Sequence, residues 1–144
     1  GSEMCIRDSH TSMLLRFELG DIVFLSAADS CPSEWDEVPE IFFKNVNVLK
    51  LPHHGQMDSI SESFMKNMPL EYIITTSASD RRYHSANQAV YQKLAAIFPA
   101  EHPPHFLFSD EREYPPYFSQ PEGFQAIKLV MDSGMVIPEF IRIQ

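Results

Sequence analysis

Four side chains in this sequence have the type and the position to bind a cation or move a proton: Asp29, His53, His54 and His84. Each falls at or just after the end of an expected strand, or immediately ahead of an expected helix. Imidazole and carboxylate are preferred ligands of zinc and similar divalent ions, so metal binding is the chemistry these types would support. The adjacent imidazoles His53 and His54 carry most of the signal. They follow Val46, Val48, Leu49 and Leu51, a β-branched and aliphatic run that Pro52 stops, and they precede Gly55. Two imidazoles therefore sit where a buried strand ends and the backbone turns, which is where α/β proteins usually place chemistry. Plainer roles compete at each position. Asp29 would serve as a turn or helix cap, one of the two imidazoles as a partner of backbone groups, and His84 as the residue ahead of a capped helix. His102 and His105, set among prolines, read as surface or edge residues.

The elements that would carry these residues follow from period and punctuation. Met13 to Leu19 alternates in part at period two, Gly20-Asp21 is a turn pair, and Ile22 to Leu25 is apolar on both faces. This predicts a hairpin whose second strand lies inside a sheet and leads into Ser26-Ala27-Ala28-Asp29. Ser33 to Asn45 has a helical pattern, with Pro39 expected as the first residue of a second helical piece carrying Ile41, Phe42 and Phe43. Ser59 and Glu62 have capping-box spacing, ahead of a helix face of Ile60, Phe64, Met65 and Met68 that Pro69 closes. Tyr72 to Thr76 predicts a buried strand. A polar loop, Ser77 to His84, leads to Ser85 and Gln88, a second capping-box spacing. Val90, Tyr91, Leu94, Ile97 and Phe98 then line a helix ending at Pro99. His105 to Ser109 is a short strand ending in Asp110, and the proline- and tyrosine-rich stretch Asp110 to Gly123 reads as a surface excursion. Phe124 to Met131 and Met135 to Ile143 predict a closing hairpin around Asp132-Ser133-Gly134, with Pro138 marking an edge strand. Strands alternating with helices argue an α/β fold.

Composition narrows the classes. A chain of 144 residues, 44% apolar and 12% aromatic, can build one domain with a real core. No run approaches the roughly 18 uninterrupted apolar residues of a membrane span. A formal charge of −9 argues against a broad nucleic-acid-binding face, although a bound cation would supply positive charge locally. With only Cys5 and Cys31 there is no disulfide framework to argue, and cytoplasm is the default location. Residues 1–9 form a separate segment. Gly1-Ser2 reads as a cloning scar, and Met4 to Ser9 resembles translated sequencing-adapter sequence, against the alternative of a disordered natural N-terminus. The domain expected is then 10–144, with the natural chain cut just before His10.

Taken in order, Ser26-Ala27-Ala28-Asp29 after a buried strand, Leu51-Pro52-His53-His54-Gly55, Tyr83-His84-Ser85 opening a helix, and Phe108-Ser109-Asp110 resemble the C-terminal half of the metallo-β-lactamase-fold hydrolases. The likeness is greatest to the hydrolase domain of ComEC-type competence proteins and its free-standing relatives, and it covers about residues 10–143. The resemblance implies the C-terminal half of a four-layer αββα sandwich with two metal ions, zinc or manganese, between the sheet edges of the intact parent. It places Asp29 as the carboxylate bridging the ions and His54 as the last metal-binding histidine. His53 stands beside it as a further ligand-shell or substrate residue, His10 as a third-motif histidine, and His84 as a catalytic residue at the site's mouth. The implied reaction is hydrolysis of a phosphodiester or related ester, in a small-molecule or nucleotide-like substrate, by a water that the metals activate. The chain departs from the family in lacking its His-x-His-x-Asp-His run and in carrying Ala28 where glycine is usual.

Three readings follow. The first is a fragment of such a hydrolase, inactive alone and prone to self-association through the sheet face its missing half would cover. The second is a non-catalytic α/β scaffold or partner-binding module. The third is a thiol enzyme pairing Cys31 with a histidine.

Overall fold

The structure, a computed structural model, describes residues 14–27, 32–55, 59–76, 88–109 and 123–142. Its centre is a five-stranded sheet in the order β1 (Leu15–Leu19), β2 (Ile22–Ser26), β3 (Val48–Lys50), β4 (Tyr72–Thr75) and β5 (His105–Phe108). The first pair is antiparallel and every later pair is parallel. A two-residue loop closes the β1–β2 hairpin at Leu19 and Ile22, with Gly20 at φ 58°, a conformation a side chain would strain. The interior position expected of β2 is observed.

Helical segments cross one face of the sheet. Two 3-10 helices, Pro32–Glu37 and Glu40–Phe43, link β2 to β3. A single α turn, α1 (Glu62–Met65), links β3 to β4, and the ten-residue α2 (Gln88–Ile97) precedes β5. Val23, Leu25, Leu49, Ile73, Phe106 and Phe108 point to this face and pack with Trp35, Phe43, Met65, Val90, Tyr91 and Leu94. The rings of Trp35, Phe43 and Phe64 hold one end of that layer, Trp35 stacking on Phe43 with centroids 5.1 Å apart. The alternate residues of the strands face the other way. There a separate two-stranded sheet, β6 (Ala126–Asp132) with β7 (Met135–Ile141), lies over the first, packing Val136, Leu129 and Met131 against Ile22, Val48, Phe24, Tyr72 and Ile74. Burial and the neighbouring Glu71 charge push the Tyr72 hydroxyl pKa upward. The closing hairpin turns at Ser133 and Gly134, both at positive φ, 53° and 78°.

Polar bonds pin the amino ends of the strands. Asn47 accepts from Val23 N–H through its side chain at 2.8 Å, donates its own N–H to Val23 O, and accepts from Glu71 N–H at 2.7 Å. It thereby ties β2, β3 and β4 together. Arg16 on β1 donates to the carbonyls of Phe42 and Lys44, both at 2.8 Å, satisfying the C-terminal end of the second 3-10 helix.

Three local expectations are corrected. The stretch from 33 to 45 is helical in two pieces as expected, both 3-10, but Pro39 stands before the second piece as its cap, at φ −54° and ψ 135°, not as its first residue. Tight turns let Trp35 and Phe43 enter the same aromatic cluster from closely spaced positions. The Ser59–Glu62 capping box does not form: α1 starts after Ser61, and the buried Ser59 hydroxyl has no partner among the described residues. The apolar face expected of that helix is nonetheless correct, with Met65 and Met68 buried and Ile60 and Phe64 packed against the core. The third correction is length, since β3 holds its ladder only from Val48 to Lys50. Ser85, the second proposed cap, lies outside the described residues, as do 1–13 and 110–122. No helix among the described residues is long and apolar enough to cross a membrane.

Candidate functional site

The register of the parallel strands sets the site edge. Ser26, Lys50, Ile74 and Leu107 lie in one row across the sheet. Bonds past that row, Ala27 N–H to Lys50 O, Leu51 N–H to Ile74 O and Ser109 N–H to Thr75 O, keep the carboxyl ends aligned for one more step. The chain then leaves β2 two residues before Asp29, β3 at Pro52, β4 at Thr76 and β5 at Ser109. Strand order follows chain order throughout, so no reversal opens a crevice of the doubly-wound kind. Strand-end loops and whatever packs against them must shape any site here.

Of the candidate residues, His54 is the one whose side-chain geometry is described. Pro52–Gly55 forms a 3-10 turn directly after β3, with His53 and His54 at its centre. His54 has φ 52° and Gly55 φ 76°. A left-handed non-glycine residue costs on the order of 1–3 kcal/mol and persists where its surroundings hold it, as functional sites often do. What holds it is a bond to the end of β4: His54 Nδ1 lies 2.7 Å from Thr76 O and 3.2 Å from Thr76 Oγ1. A carbonyl oxygen can only accept, so Nδ1 carries the proton and, in the neutral ring, Nε2 carries the lone pair. Behind this edge the Tyr91 hydroxyl donates to the buried Thr75 Oγ1 at 3.2 Å, joining α2 to β4.

An imidazole whose Nδ1–H is committed to a carbonyl is the usual state of a metal-binding histidine, so His54 suits the ion that the resemblance implies. The rest of the ligand set is not assembled among the described residues, where no group of three or more His, Cys, Asp or Glu side chains could hold a metal ion. Asp29, His10 and His84 lie outside the described residues, and so does Cys31. His102 and His105 lie around the start of β5, at the opposite end of that strand from Ser109, and play no part at this edge. Thr76 is the participant that sequence reasoning missed. A threonine at a strand end is too common to signal anything, and its bond to His54 spans 22 residues.

Fold and site together define a mixed α/β protein with a mainly parallel sheet and a histidine turn at its carboxyl edge. The chain is similar to ComE operon protein 3 of Bacillus subtilis (strain 168), at 29% identity over 87 residues. That alignment covers 60% of this chain and 11% of the relative's length. No family model matches the chain. No solved structure matches it.

Proposed function

We propose that this chain is the C-terminal half of a metallo-β-lactamase-type αββα sandwich, over residues 10–144. Its parent is a metal-dependent hydrolase acting on a phosphodiester or related ester of a small or nucleotide-like substrate. The observation that carries the reading is His54, held left-handed at the carboxyl edge of the parallel strands with Nδ1–H donated to Thr76 O. The similarity to ComE operon protein 3 supports it, in agreement with the sequence likeness to ComEC-type hydrolase domains. Asp29, three residues past the end of β2, is the bridging carboxylate of this proposal. His10 adds a third ligand, His53 stands beside His54 as a supporting or substrate-contacting residue, and His84 handles substrate. Two zinc or manganese ions would supply water activation at neutral pH when bound. The chain's own part is to present the Asp29 carboxylate and the His54 ring, bonded through Nδ1 to Thr76 O, at the carboxyl edge of the sheet. The test is a longer chain carrying the upstream coding sequence. A His-x-His-x-Asp-His run there, with turnover of bis-(p-nitrophenyl) phosphate abolished by Asp29→Asn, is the expected result. A longer chain with no such run and no metal-dependent turnover overturns the proposal.

Self-association belongs to the same proposal. The β6–β7 hairpin covers the centre of the sheet face opposite the helices but leaves Leu15, Phe17 and Leu19 on β1 exposed by 43%, 56% and 58%. The three lie at alternate positions of an edge strand, an arrangement that favours pairing with another chain. Sedimentation is expected to show concentration-dependent association that Phe17→Lys weakens. A monomer at every concentration, silent to a hydrophobic dye, would contradict it.

A further inference from the structure

We infer that the main-chain carbonyl of Thr76 is a positioning group that sets the tautomer of His54, keeping the proton on Nδ1 and making Nε2 the atom offered to a divalent cation. The identity of the ligand rests on the metal-site reading above, whereas the tautomer rests on geometry alone. At 2.7 Å the Nδ1–O separation is a short N–H···O bond, and the carbonyl has no proton to give. The Thr76 hydroxyl at 3.2 Å is a second, longer contact; with the Nδ1 hydrogen already in place, its oxygen can only share that hydrogen as an acceptor.

Both partners are placed by backbone. Leu51 N–H bonds to Ile74 O, locking β3 to β4 one residue before Pro52 and two before Thr76. The turn Pro52–Gly55, with two successive left-handed residues at its end, then returns the ring toward β4. The choice of tautomer therefore does not depend on the Thr76 side chain. A metal takes only the neutral imidazole, and a hydrogen bond at the distal nitrogen both orients the ring and makes the ligating nitrogen more basic. The carbonyl thus selects the one neutral form in which Nε2 can donate.

The experiment uses the whole chain labelled with 15N, at a pH where His54 is neutral, with its ring signals assigned by their loss in His54→Asn. Long-range 1H–15N spectra are expected to show a ring protonated at Nδ1, both in the unaltered chain and in Thr76→Val, which keeps the carbonyl. Zinc chloride is then expected to move the Nε2 signal of His54 while the Nδ1 proton remains. A ring protonated at Nε2, or exchanging between the two forms, overturns the inference. So does a tautomer that changes in the folded Thr76→Val chain, which would assign the role to the hydroxyl. A ring protonated at Nδ1 whose Nε2 signal ignores zinc removes His54 from the ligand set and leaves the tautomer assignment standing.

Discussion

Dialysed and then equilibrated with zinc or manganese, this chain is expected to retain at most one loosely held ion, and His54→Ala is expected to lose it. The donors that the proposal gives the chain are Asp29, His54 and His10, with His53 as a neighbour. A catalytic zinc ion normally takes three protein ligands and keeps one position for water, so three groups are too few for two ions. A carboxylate built to bridge a pair would hold only one side. Disturbing a partner behind a ligand typically costs about 10–100-fold in metal affinity, so deleting the ligand itself should weaken binding by at least that factor. With the second cation missing, water is neither activated nor aligned, and turnover of bis-(p-nitrophenyl) phosphate should stay at background. Elemental analysis and a turnover assay on the same samples decide the matter. Two tightly held ions with turnover abolished by Asp29→Asn would refute the inactivity while confirming the site. Binding unchanged by His54→Ala would remove His54 from the ligand set.

The sheet was legible in the sequence wherever a strand is apolar on both faces. Ile22 to Ser26 and Tyr72 to Thr75 lie between the helical layer and the β6–β7 hairpin, and Phe106 to Phe108 are buried; such runs have few other destinations. The closing hairpin was legible too, because Ser133 and Gly134 supply the positive φ values its turn requires. Its position over the sheet face opposite the helices was not, since the contacts of Val136 and Leu129 with Ile22 and Val48 join distant parts of the chain. Local capping logic failed where tertiary packing won. Ser59 has the right spacing to Glu62, yet it is buried at 0% exposure and the helix starts after Ser61. The pattern around Pro39 likewise could not separate two 3-10 turns from a broken α-helix, because both place Trp35 and Phe43 inward. The end of β3 and the change of direction after it were legible in the Pro-His-His-Gly run, which forms the 3-10 turn Pro52–Gly55. The left-handed backbone of His54 and its bond to Thr76 arise only once β3 and β4 pair side by side.

Phe106→Ala is expected to be the most destabilising simple truncation on the sheet, costing about 3–5 kcal/mol. Phe106 is fully buried, sits opposite Ile73 in the β4–β5 ladder, and meets the Tyr91 ring edge-on with centroids 5.4 Å apart. Its removal takes away the buried area of a large aromatic side chain, its contact with α2, and the support behind the Thr75–Tyr91 hydrogen bond. The hole cannot close easily, because Phe108 on the same strand and face already packs on Tyr91 at 4.6 Å and both sit in a continuous cluster. Small domains have only about 5–15 kcal/mol of stability, so this single change should bring the chain close to unfolding at room temperature. Ile41→Ala is the matched control: Ile41 is 65% exposed, and its truncation should stay within about 0.5 kcal/mol. Urea melts followed by circular dichroism would measure both. A Phe106→Ala midpoint as little shifted as that of Ile41→Ala would mean that the layer between the sheet and α2 is not packed as described. A large shift for Phe106→Ala alone would show that the layer between the sheet and α2 is packed as described.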